Sequence, residues 1–416
     1  MPRLEEDLRN VALIAGSAVV AAGATVALFA AGGPSSSSEF RVHEIVEVRV
    51  ERDRTRVVEA PTRVTNGAER LYGEVTTRSG ATLEGFLRWD RNEGSWADLL
   101  DARKVDGQST QTGVRFGQIE RLTVIDSRTA ELEMISGDVV ELAGQSTDLG
   151  SQMRSLVVET LDGSAHDLDW SELAEVRFRS APEGTETVEQ RLHGRVTTNA
   201  GHEFVGFVTW DVDEIHGSDI LDGEVRRQDV EIPFSAISRI ERQGSRGAEV
   251  TLLDGETLDV RGTNDVDSGN RGISVSDPGL GQVLVEWSDV ASVDFFPAET
   301  LPDRASFGHT GRVEGTVTGS SGDSWQGAVT WDLDESFGWE ILNGHLDDAE
   351  FFVEFGQVQS IEKTDAGSRV TLRDGRSFEL RGSQDVARGN RGIVIEGAEG
   401  EQRVRWSEFR EFRVGG

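Results

Sequence analysis

The sequence predicts an all-β protein built from three tandem repeats of about 120 residues, preceded by one apolar N-terminal helix. Three observations lead there. The string Trp89-Asp90-Arg91-Asn92-Glu93 returns as Trp210-Asp211-Val212-Asp213-Glu214 and as Trp331-Asp332-Leu333-Asp334-Glu335, at a constant interval of 121 residues. Short apolar and alternating runs such as Phe204-Val205-Gly206-Phe207-Val208-Thr209-Trp210 are bounded by Gly, Asp-Gly or Asn-Gly turn signals, the pattern of strands and not of helices. Cysteine is absent from all 416 residues, so packed cores must hold the fold without disulfides or thiolate metal sites.

Composition narrows the function classes. Lysine and arginine number 42 against 75 aspartates and glutamates, a net charge of −33 that repels phosphate backbones; no nucleic acid partner is expected. The 48 glycines and nine tryptophans fall in strand-like segments, so the acidity belongs to a folded chain.

From the N-terminus, Val11 to Ala31 is an uncharged run long enough, at helical rise, to cross a hydrocarbon core of roughly 30 Å. Residues 1–31 therefore read as a signal anchor or a signal peptide. Glu5, Glu6 and Asp7 make a poor basic flank and favour the uncleaved anchor, whereas Ala22-Gly23-Ala24 offers a cleavage site. Either way the body is expected to be exported. It is then a single-pass protein of the cell membrane with its C-terminal body outside the cytoplasm, or a secreted or periplasmic one if the signal is cleaved. Residues 32–70 begin with a Gly/Ser tether, Gly32-Gly33-Pro34 and Ser35 to Ser38. Val46, Val48 and Val50, alternating with charged residues before an Asp53-Arg54 turn and Val57-Val58, predict a β-hairpin.

The repeats follow as 71–183, 184–300 and 301–416. Each opens with a strand at Val75, Val196 or Val317, turns at Gly80, Gly201 or Gly322, and runs through Gly85, Gly206 or Gly327 to the Trp-Asp turn. A first half closes on an aromatic-x-x-aliphatic step: Phe116-Ile119, Phe234-Ile237 or Phe355-Val358. The second half turns at Gly137, Gly255 or Gly375 and ends on Trp170-Ser171, Trp287-Ser288 or Trp406-Ser407. Phe234-Ser235-Ala236-Ile237 and Trp287-Ser288-Asp289-Val290 share one pattern, so each repeat reads as two halves of about 50 residues with four or five strands apiece. Sheets that small remove their exposed edges by curling on themselves.

This order of strand, glycine turn, aliphatic strand, Asp-containing turn and aromatic-x-x-aliphatic close resembles small β-barrels of the SH3-like and Sm-like kinds, best over 72–122, 192–242 and 313–363. The resemblance implies two small barrels per repeat. The nucleic-acid residues of the Sm family do not carry over, because the turn is Asp-rich and no Ile-Arg-Gly stands at the second motif.

Acidic residues recur around the Trp turn: Asp90, Glu93 and Asp98, then Asp211, Asp213, Glu214 and Asp219, then Asp332, Asp334, Glu335 and Glu340. Hard oxygen donors of this kind suit Ca²⁺, but Gly94 comes too early for an EF-hand loop and no bidentate glutamate closes it. The carboxylates therefore read as turn caps, with no metal or other cofactor expected and calcium binding as the alternative. Recurrence in every copy argues against a catalytic pair, which needs one preorganised constellation, and the seven histidines show no H-x-x-x-H spacing. The segment from Asp265 to Ile273 returns from Asp385 to Ile393. Its Arg271 and Arg391 are expected to lock the loop by pairing with Asp265 and Asp385, and Asp148 and Arg154 hold the same places in the first repeat. The tryptophans in register are core residues. Trp96, Phe337 and Trp339 escape the repeat pattern and are the candidate ligand-binding residues, with local loop packing as the alternative.

These readings predict no enzyme activity. The expected protein is an extracytoplasmic binding or scaffold protein, tethered to the membrane by its N-terminal helix, whose tandem barrels contact protein or polysaccharide of the cell envelope. Two alternatives stand beside it: a homo-oligomeric envelope subunit forming a ring, layer or filament, and a hydrolase with an acidic site between repeats.

Overall fold

A computed structural model describes residues 55–58, 64–105, 111–144, 146–308 and 311–415. The apolar N-terminal segment, the tether and the strand expected at Val46 to Val50 lie outside the described residues. The described chain is all-β, in sheets of thirteen, ten and eight strands, and its helix is confined to three-residue 3-10 turns. Every pairing between strands is antiparallel except one. Arg56–Val57 runs parallel to Gln228–Pro233, and the Arg56–Glu256 ion pair at 2.6 Å fastens it there, so this part of the expected hairpin is an added strand on a distant sheet edge.

One order of ten strands occurs three times. In the middle set it runs Gly281–Val285, Ile273–Asp277, Glu203–Thr209, His193–Thr198, Val290–Phe295, Ile237–Arg242, Gly247–Leu252, Thr257–Arg261, Ile220–Val225, Gln228–Pro233. The set that begins at Tyr72–Thr77 follows the same order. So does the set that begins at Glu314–Gly319, where the single His345–Arg381 bridge stands in for one pairing.

The two sequence halves of a set do not fold separately. Glu203–Thr209 pairs with Ile273–Asp277, placing Val208 opposite Val275, while Ile220–Val225 meets Thr257–Arg261 at Glu224 and Arg261. Each half thus gives one hairpin to the other, and their last strands pair at Ile240 and Val293. A barrel confined to 72–122, 192–242 or 313–363 is not what forms. The Trp turn and the loop behind it swing the chain off its first hairpin, so the next hairpin finds its neighbours in the second half. Gly206 marks the crossing: a Cβ there would stand 2.5 Å from the Ser276 carbonyl oxygen, and at Gly85 and Gly327 the same atom would stand 2.2 Å from the carbonyls of Glu159 and Glu396.

Burial follows the aromatic pattern. Trp210 is fully buried, 5.5 Å from Trp287 and 5.8 Å from Phe234, and Trp89 and Trp331 repeat the arrangement. The sets also share cores and charges. Phe207 of the second set, and Phe307 and Trp339 further along, complete the apolar core of the first. Arg191 pairs with Asp98 at 2.6 Å and Arg115 with Glu354 at 2.5 Å, all four side chains buried. Removing one partner of such a pair costs roughly 3–5 kcal/mol, because a charge is left uncompensated in the interior. The hairpin Ile341–Leu346 and Ala349–Glu354 of the third set then extends the second set's sheet, with Phe351 opposite Val283.

The hairpin exchange makes a checkable demand on glycine. Gly206→Ala should lower stability by about 2–3 kcal/mol, since the obstacle is backbone and cannot step aside. Gly308→Ala, where a Cβ would meet nothing within 4 Å, should be nearly neutral. Equal effects in urea melts of the two variants would contradict the exchange.

Candidate functional site

Each Trp turn reverses the chain through two left-handed residues. Asp90 and Arg91, Asp211 and Val212, and Asp332 and Leu333 have φ between +43° and +69°. That conformation costs an ordinary side chain about 1–2 kcal/mol per residue, most for a β-branched one such as Val212, so it has to be held. Reciprocal bonds between Trp210 and Glu214, at 2.8 and 2.9 Å, close the turn. Its aspartate is the clamp. Asp211, fully buried, accepts the Arg271 N–H on one oxygen and the Asn264 side-chain amide on the other. Asp90 takes the Arg154 N–H and the Thr147 hydroxyl, and Asp332 the Arg391 N–H and the Gln384 amide.

The neighbouring acids behave alike. The Trp210 indole N–H donates to the Asp265 carbonyl at 2.9 Å, while the Asp265 carboxylate accepts the Asp222 N–H at 2.7 Å. Trp89 with Asp148 and Asp101, and Trp331 with Asp385 and Asn343, reproduce both bonds. Asp98, Asp219 and Glu340 each accept two successive loop N–H groups, those of Gly94 and Ser95, Ile215 and His216, and Ser336 and Phe337. These carboxylates hold backbone that the left-handed turns would otherwise leave without partners.

Two site expectations are corrected. Arg271 does not pair with Asp265, nor Arg391 with Asp385 or Arg154 with Asp148. Asp265, Asp148 and Asp385 face inward onto strand N–H groups, and the arginines turn outward to the Trp turns: Arg271 to Asp211 and Asp213, Arg391 to Asp332 and Asp334, Arg154 to Asp90 and Asp213. The retained Asp148, against changing neighbours, was the signal in the sequence that the acid serves the backbone. Secondly, Trp96 and Trp339 are buried at 1% and 2% exposure and line neither of the two cavities described below. The Trp96 indole N–H donates to Ala68 O at 3.0 Å, and half-buried Phe337 stacks on Trp339 with centroids 6.0 Å apart. Packing between sets consumes these rings, because the loops that carry them are the surfaces through which the sets meet.

Two cavities stand out among the described residues. One, of about 300 Å³, lies between the first and second sets, with Glu93, Asp98, Asp101, Asp148, Arg154 and Arg271 on its walls. Burial, reinforced by Asp148 and Asp90, pushes the Glu93 carboxyl well above the usual carboxylate range. At the corresponding place in the second set burial and then Asp265 raise Glu214 to about 8, and Asp211, Glu214 and Asp265 bring oxygens within 4.8 Å of one another, close enough to share a metal ion. The other cavity, of about 460 Å³, is a groove on the second set walled by Phe207, Phe234, Phe295, Phe296, Leu253 and Val188. Gln190 lines it too, and its side-chain Nε2 is buried without a hydrogen-bond partner. Neither cavity was visible in the sequence, since each draws on residues that only the folded chain brings together.

No known family model matches the chain, and no curated protein matches it.

His216 sets a pH dependence. It is buried between sets, and desolvation first, then the positive charges of Arg70, Arg88 and Arg191, hold it well below its ordinary value of 6.5; Glu189 stands 4.0 Å away. A depressed folded-state pKa means that the unfolded chain takes up the proton first. This contribution is therefore whole above pH 6.5 and is lost as the pH falls below it. Urea melts from pH 7.5 down to 5 should show a steeper loss in the parent protein than in His216→Gln, and parallel profiles would rule His216 out as the cause.

Proposed function

We propose that this chain is a non-catalytic binding or scaffold protein of the cell envelope, carried outside the cytoplasm on its N-terminal apolar segment. Its body is read as three tandem units near 71–183, 184–300 and 301–416, each of two small SH3-like or Sm-like barrels that exchange a hairpin. The second-set groove is the surface through which it takes a protein segment. The observation that carries this reading is the groove itself: aromatic and aliphatic walls around one amide N–H of Gln190 that has no internal acceptor. Apolar side chains with a backbone carbonyl between them satisfy both features, which favours protein over polysaccharide. Val188 and Leu253 at 55% and 52% exposure extend the apolar surface beyond the groove.

Against the hydrolase alternative stand the carboxylates beside the acidic cavity, since Asp90, Asp98 and Asp148 are already engaged by backbone N–H groups. Against self-assembly stands the character of the edges. The second set's edge strand Gly281–Val285 presents apolar Val283 and Val285 and is covered by the third set. The matching edge Gly400–Val404 has no strand on its outer side among the described residues and exposes Glu401, Gln402 and Arg403, which oppose pairing.

Selection of displayed random peptides on the full chain in detergent should enrich apolar sequences, and Val188→Asp with Leu253→Asp should abolish their binding while leaving the melting temperature unchanged. Light scattering of the same preparation should give a monomer. Peptides that bind the double variant equally, no enrichment, or a defined ring or filament would overturn the reading.

A further inference from the structure

We propose that the cavity between the first and second sets binds a divalent cation of the calcium class, with Glu93 and Asp148 as its charged ligands. Four carboxylates line it, those of Glu93, Asp98, Asp101 and Asp148, together with Asn92 and Thr147. The ligating atoms these side chains offer are oxygens, which suits a hard cation and not zinc or copper.

The charges are unevenly matched. Asp98 is neutralised by Arg191, and Arg154 and Arg271, on the same walls, are turned onto Asp90, Asp211 and Asp213. Among the described residues, Glu93, Asp101 and Asp148 have no arginine or lysine at ion-pair distance. A second observation concerns hydrogen bonding and not charge. Glu93 is more than nine-tenths buried, at 8% exposure, it lines the cavity, and its Oε2 has no hydrogen-bond partner. A buried carboxylate oxygen without a donor, in a residue that shares a cavity wall with further carboxylates, needs a proton or a cation beside it.

The space fits the second. About 300 Å³ accommodates an ion and several waters, each of which occupies roughly 30 Å³, and calcium completes its shell of six to eight oxygens with water where protein donors run out. Asp148 accepts the Asp101 N–H at 2.6 Å and the Ser146 hydroxyl, and its carboxylate oxygens keep lone pairs that a cation can share. The spacing that excludes an EF-hand does not bear on this site, because its ligands come from two loops that only the hairpin exchange brings together.

The test uses the full chain, stripped with a chelator and titrated with calcium chloride by calorimetry, alongside thermal unfolding in calcium or in chelator. Calcium should bind and raise the melting temperature by about 2–5 °C. Glu93→Gln and Asp148→Asn should each weaken binding about tenfold or more. Both amides keep the shape and the carbonyl-type acceptor of the acid they replace, so the variants should melt near the parent when calcium is absent. Glu131→Gln, at an exposed strand position outside the cavity, should leave the affinity unchanged. Absence of both heat and thermal shift would overturn the proposal, as would affinity lost in Glu214→Gln, at the matching place in the second set, and kept in Glu93→Gln and Asp148→Asn. Peptide binding in the groove is read separately, so either proposal can fail alone.

Discussion

The whole fold hangs on one strained turn. After Trp89, Trp210 and Trp331 the chain passes through two left-handed residues, and a buried aspartate carboxylate holds it there by accepting a backbone N–H from a loop some sixty residues further on. Bonds to a charged acceptor contribute about 1.5–3 kcal/mol each, enough to offset the left-handed backbone. The consequence is topological. Because the clamp reaches the second half of the set, the turn is held only with the loop that carries Arg154, Arg271 or Arg391 in place, so the two halves depend on each other.

This explains why the recurring residues are the ones they are. Tryptophan fills the core and spends its only polar atom on the carbonyl of Asp148, Asp265 or Asp385. Those aspartates return the favour through their carboxylates to a strand N–H. Glycine at 85, 206 and 327 is the point at which the exchanged strand comes too near for any side chain. Acid, indole and glycine answer to a single geometry, and substitution of one would strain the other two.

Much of the fold was readable from the sequence, and the unreadable part has a physical reason. The strands, their turns and the register of the tryptophans follow from local period and turn chemistry, which act over a few residues. Which hairpin pairs with which does not, because Glu203–Thr209 is equally apolar whether it meets Ile220–Val225 or Ile273–Asp277. The same limit governs the site. That acids such as Asp90 and Asp265 serve turns was inferable from their recurrence, whereas the partner of Arg271 was not: the Asp six residues before it is near in sequence but faces the opposite side of the loop. Trp96 and Trp339 depart from the repeat for a reason the repeat itself conceals, namely that three similar sets packed together cannot all present the same surface.

That asymmetry is where the three sets differ. The Trp-turn clusters share one design, yet their electrostatic surroundings diverge. In the third set Lys104 reaches across from the first, bonds to the Asp334 carbonyl at 2.7 Å and pairs with Glu340, and its charge also acts on Glu335. Glu93 has no lysine beside it; the nearest charges acting on it, Asp148, Asp90, Asp98 and Asp101, are of its own sign, and Arg154 acts on it from beyond ion-pair distance. A lysine is thus supplied to one copy of a common acidic turn and withheld from another, in a chain with only Lys104 and Lys363 to place. Since equal folds with equal clamps would be satisfied equally, the unequal supply of countercharge ties the interior chemistry of each set to the neighbour it packs against: the third set's acidic turn receives a lysine, whereas Glu93 and Glu214 stay among acids.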